Sequence, residues 1–145
     1  DDAEREIDSL RLDEPVKVLL LFGSPGAFYV VSDRAWLGDL ATRLGFQNLA
    51  PSEGSERMPG FVAVGDETLS RVEPDLVAIV AHGDPARIEA ELQRRTAPDG
   101  PWASLGRAPL GTRVLAPHLF AANPGLALPD AARALVTLAE PSERP

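Results

Sequence analysis

The sequence predicts an α/β fold, a three-layer arrangement in which a parallel sheet carries helices on both faces, and three observations carry that reading. Two nearly unbroken apolar runs, VKVLLLF at residues 16–22 and LVAIVA at residues 76–81, have the composition of strands buried on both faces. Each leads through a glycine-bearing loop into a stretch with one apolar helical face. A third short run at residues 113–116 again precedes a loop and a helix. Strands and helices alternating in this way, joined by right-handed crossovers, build such a sheet.

Each element follows from its residues. Residues 3–11 put Ile7 and Leu10 at helical spacing, and Pro15 ends that helix. After the first buried run comes a loop from Gly23 to Ser32. Ser32 or Asp33 then caps a helix over 34–44, with Trp36, Leu37, Leu40, Ala41 and Leu44 on one face and Gly45 as its stop. Residues 47–50 add a short strand, whereas Pro51 to Gly60 reads as loop because it is rich in Ser, Glu, Pro and Gly. A strand at 61–64 and a helix over 66–72 come before the second buried run. Asp84 caps, and Pro85 starts, a helix reaching Arg95. A turn-rich stretch containing Trp102 leads to the third strand, and the last helix begins near Pro129 with Leu135, Val136 and Leu138 as core contacts.

Composition narrows the function. The 145 residues fit one domain, of a size that buries roughly 70% of its unfolded surface. No apolar run approaches the roughly 20 residues needed to span a bilayer. Of the net charge of −8, residues 1–14 hold −5. An acidic body without a basic cluster lacks the means to neutralise phosphates, so a nucleic-acid partner is not expected. Having no cysteine, the chain has no disulfide, zinc–thiolate site or thiol chemistry.

In a parallel α/β sheet, ligands bind beyond the carboxyl ends of the strands. The loops at 23–32, 82–84 and 117–128 are therefore the candidate binding edge. The first matches no phosphate-binding pattern and carries Phe28 and Tyr29, two rings that either meet a flat apolar ligand or join the core. His82 follows a buried strand and precedes a capped helix; its imidazole is either a metal ligand or a hydrogen-bonded structural group. His118 reads as structural or exposed. Ser24, Ser32, Asp33, Asp39, Glu67, His82 and Asp84 are the groups an enzyme would draw on, yet they form no GxSxG elbow, HExxH or other known spacing. A small hydrolase or transferase is the rival class, carried by the versatility of the fold alone.

The order of motifs resembles the carboxy-terminal half of the cobalamin, siderophore and heme-binding proteins that feed ABC importers. The matching stretches are KVLLLFGSPGAFYVV, SDRAWLGDLATRLGFQNLA, VGDETLSRVEPDLVAIVAHG and WASLGRAPLGTRVLAPHLFAANPG, in that order and over nearly the whole chain. The pairing of PGAFYVVSDRAWLGDL with AHGDP is most similar to the heme-binding lipoproteins of Gram-positive iron acquisition. The resemblance implies a Rossmann-like single lobe of a bilobal binding protein, with residues 1–14 ending the inter-lobe connecting helix and 15–145 forming the carboxy-terminal ligand-binding lobe. The missing amino-terminal lobe would close the cleft. It implies no catalysis and no cofactor; the transported ligand is heme, with a ferric siderophore and then cobalamin as alternatives. His82 becomes an axial ligand of heme iron, Tyr29 meets the porphyrin by stacking or as a tyrosinate, and Phe28 and Ser24 join the ligand-binding edge. Glu67 matches the carboxylate that docks on arginines of the membrane permease; read from its residues alone it is a solvated carboxylate at a helix start. A monomer outside the cytoplasmic membrane, periplasmic or anchored as a lipoprotein, completes the expectation.

Overall fold

The computed structural model describes residues 2–24, 26–51, 54–115 and 128–140. Its centre is β1 (Val16–Ser24), flanked on one side by β6 (Leu76–Ala81) and, beyond it, β7 (Thr112–Leu115). All three run parallel, with Leu20 opposite Ala78 and Ile79 opposite Val114. Every residue of β6 is buried, as a central parallel strand between two neighbours requires. The run read from the sequence at 76–81 is this strand, residue for residue.

The other side of β1 differs from the expected all-parallel sheet. Its first residues pair in parallel with β3 (Phe46–Asn48), but its last four pair antiparallel with β2 (Ala27–Val31). Beyond β2 lie β5 (Phe61–Ala63) and then β4 (Ser55–Met58), each antiparallel to its neighbour. The sheet is therefore mixed. The expected loop at 23–32 is a β-hairpin: β1 continues to Ser24, the chain reverses through Gly26 at φ +81°, and AFYVV returns as strand. β-branched and aromatic residues favour that return, and glycine accepts the left-handed turn without strain.

The second correction concerns 51–60, which reads as loop but contains β4. Three of its four residues are polar and the fourth, Met58, is exposed, so it has no hydrophobic signature; the ladder to β5 and side-chain bonds hold it. Glu56 takes Arg34 at 2.7 Å and the Gly60 N–H at 3.1 Å, and Gly60 O accepts the Ser32 N–H at 2.8 Å.

Helices cover both faces. Against one lie α1 (Asp2–Ser9), α2 (Trp36–Arg43) and α5 (Leu128–Leu138), which bury Ile7, Leu37, Leu40, Ala131 and Leu135 over Val18, Leu20 and Ala78. Against the other lie α3 (Asp66–Leu69), α4 (Pro85–Thr96) and a 3₁₀ turn (Leu105–Arg107), burying Leu69, Ile88, Leu92 and Leu105 over Leu19, Leu21 and Ile79. Helix α1 stops at Ser9, six residues before Pro15. Helix α2 starts later than expected, and neither Ser32 nor Asp33 caps it. Ala35 is its N-cap, because the Asp33 carboxylate instead accepts Thr42 Oγ1 at 3.0 Å and Asn48 Nδ2 at 2.8 Å. The expected cap of α4 is present: Asp84 accepts the Ala86 N–H at 3.0 Å, an arrangement contributing about 1 kcal/mol. Helix α3 is a single turn, shorter than the reading over 66–72.

Candidate functional site

Strands β1 and β6 deliver two ends to one edge. Gly23 pairs with Ala81, and the ladder continues one rung further, where the His82 N–H donates to Gly23 O at 2.7 Å. The backbone of His82 is thus part of the sheet, while its side chain is exposed.

Alternation along the strands decides which side chains meet it. Phe22 stands opposite Val80 on β6 and opposite Tyr29 on β2, so Phe22, Tyr29 and His82 share the face covered by α1, α2 and α5. The imidazole stacks on the Phe22 ring, centroids 5.8 Å apart at 28°, and Phe61 also meets Phe22, edge-on at 5.2 Å and 65°. Tyr29 and Phe22 are half-buried. The result is an aromatic ledge ending in an exposed imidazole. Phe22 and Phe61 are missing from the sequence-derived site. Phe22 ends an apolar run that reads as core throughout, and its role emerges only from the strand register.

Phe28, next to Tyr29 in sequence, takes the opposite face. There it packs edge-on against Trp102, centroids 5.4 Å apart at 85°, and the Arg95 guanidinium lies over both rings at 5.1 and 4.8 Å. Arg95 Nε also donates to Glu91 at 2.7 Å, and the buried Trp102 donates from Nε1 to Asp66 at 2.7 Å. Gly23 makes this packing possible: a Cβ there would sit 2.9 Å from Ile88 Cγ2 and 3.0 Å from Phe28 Cε1. Ser24 lies with Phe28 beside a cavity of ≈ 460 Å³ between the hairpin tip and α4. The structure therefore brings His82 and Tyr29 together and separates Phe28 and Ser24 from them.

Glu67 stands on α3 with its side chain 90% exposed, 3.4 Å from Arg71 one turn on. Asp33, Asp39 and Asp84 remain dispersed, and among the described residues no three His, Cys, Asp or Glu side chains gather as a metal cage. His118 and the expected loop at 117–127 lie outside the described residues. No described helix is long and apolar enough to cross a membrane.

Fold and sequence together define the class: the chain is similar to one half of the substrate-binding proteins of ABC transporters. It superimposes on such a protein from Listeria monocytogenes EGD-e with a TM-score of 0.73 and 25% identity, over 94% of this chain and 54% of that one. One relative is IsdE, the high-affinity heme uptake system protein of Staphylococcus aureus, 27% identical over 86 residues, or 59% of this chain and 28% of IsdE. The structure of IsdE complexed with heme matches with a TM-score of 0.70 and 22% identity over 94% of this chain and 53% of that one. The chain thus spans about half the length of the solved relatives. These neighbours are substrate-binding transport proteins, not enzymes. No family model matches the sequence.

Proposed function

We propose that this chain is the carboxy-terminal lobe of the substrate-binding component of an ABC importer for iron chelates, with heme as its ligand. Residues 1–14 hold the end of the inter-lobe helix, which reaches Ser9, and 15–145 form the lobe. The observation that carries the reading is the similarity to IsdE together with an exposed imidazole fixed at the sheet edge beside an aromatic ledge. Heme brings four equatorial donors of its own and needs one axial donor from each side, a task that suits one imidazole. His82 supplies that donor, and Tyr29 meets the porphyrin from the same face. Ser24 and Phe28 flank the edge on the other side of the hairpin. The amino-terminal lobe supplies the rest of the cleft, and closure of the two lobes removes the ligand from water without any covalent step. The protein is not an enzyme. It acts as a monomer outside the cytoplasmic membrane, periplasmic or held there as a lipoprotein, and Glu67 docks on the permease.

The test is a hemin titration of the full-length protein and its His82→Ala variant. Loss of an axial bond is expected to shift the Soret band and weaken binding by at least about tenfold. A ferric siderophore already saturates its iron with oxygen donors, so an unchanged spectrum and affinity, with preference for a ferric siderophore, would move the ligand to that class.

A further inference from the structure

Helix α3, which carries Glu67, is too short to hold itself. Its four residues close hardly more than a single hydrogen-bonded turn, and its N-cap, Gly65, brings no capping side chain. A carboxylate that docks on a partner gains from a fixed direction, because every turn and rotamer left to be ordered at contact subtracts from binding. The support for α3 therefore has to come from another part of the fold.

It comes from one short segment, residues 102–105. Trp102 Nε1 donates to Asp66 Oδ1 at 2.7 Å, at the first residue of α3, and Ser104 Oγ donates to Leu69 O at 3.4 Å, at its last. Trp102, Ser104 and Leu69 are buried, where hydrogen bonds are stronger than in water. The indole is itself anchored: Arg95 lies over it at 4.8 Å, Phe28 meets it edge-on at 5.4 Å, and the Trp102 backbone N–H donates to Arg95 O at 2.8 Å. Between the two bonded ends of α3, the Glu67 side chain stands 90% exposed.

We infer that Trp102 and Ser104 are positioning residues for docking: they clamp α3 at both ends and present Glu67 to the permease in one direction. The inference rests on the reading of Glu67 as the docking carboxylate, and the experiment separates the two. Amide hydrogen exchange over residues 66–70, and binding of the full-length protein to liposomes carrying the importer's permease, are measured for Trp102→Phe, Asp66→Ala, Asp66→Asn, Glu67→Arg and Ile79→Val. Trp102→Phe keeps a ring beside Phe28 and Arg95 and removes the indole N–H. This variant and Asp66→Ala are expected to speed exchange over 66–70 at least about tenfold and to weaken permease binding roughly tenfold. Asp66→Asn keeps an acceptor for the indole and should restore most of both. Ile79→Val, which thins the same core cluster from β6, should change neither. Unchanged exchange in Trp102→Phe, or faster exchange with permease binding intact, overturns the clamp and leaves the docking reading standing. So does a loss for Asp66→Asn as large as that for Asp66→Ala, which would make Asp66 itself a contact of the permease. Permease binding by Glu67→Arg as tight as that of the unaltered protein overturns the docking reading and the inference with it.

Discussion

Phe28 and Tyr29 are adjacent in β2, yet the two sides of the hairpin they occupy are built on different terms. On the Phe28 side the groups around the ring are partnered: ring on ring with Trp102, Arg95 over both, Glu91 on Arg95, Asp66 on the indole. On the Tyr29 side the ledge of Phe61 and Phe22 ends in an imidazole that is exposed. Period-two alternation thus divides one aromatic pair between a closed cluster that holds the lobe together and an open one with a surface left to offer. In the proposed lobe, the difference would separate stability from recognition along a single strand.

Four substitutions break or sharpen that contrast. The largest effect is expected from Trp102→Ala, which removes a buried indole and strands the Asp66 carboxylate: a loss of roughly 3–5 kcal/mol in denaturant unfolding. Next is the direct comparison of neighbours. Phe28→Ala should cost about 2 kcal/mol of stability, being half-buried, whereas Tyr29→Ala should cost about 1 kcal/mol or less and show its effect in hemin affinity. Equal stability losses with no binding difference would erase the distinction between the two sides. The smallest change is expected from Glu67→Arg in the full-length protein: ligand affinity unaltered, but transport reduced, since the proposed contact is with the permease alone. A matching fall in both would make Glu67 part of the cleft.

Much of the fold is legible from local pattern, and what is not legible depends on distant residues. Leu76–Ala81 is readable because burial on both faces demands an unbroken apolar run, and α4 is readable because Asp84 and Pro85 form a self-contained start signal. Ser32 and Asp33 present an equally good cap signal, but Asn48 and Thr42, reached only through the tertiary fold, take the Asp33 carboxylate away. The strand at Ser55–Met58 is invisible for the same reason: three of its residues are polar, its Met58 is exposed, and Arg34, 22 residues from Glu56, helps to hold it. At the site, His82 is conspicuous at the end of a buried run. Phe22 is hidden inside one, and its place under the imidazole is a fact of register.

The His82 N–H bonded to Gly23 O makes the histidine the last rung of the central ladder, and its ring stacks on Phe22. With its backbone already ordered in the ladder, only the side-chain rotamers of His82 remain to be fixed when it acquires a bond, so part of the entropic cost of capture at this end of the proposed cleft is met during folding. In the proposed site, the backbone at this rung has no hinge of its own with which to withdraw the imidazole from iron. In the proposed transporter, release must then come from movement of the lobe as a rigid body, drawn by whatever grips it at Glu67, and not from a loop relaxing.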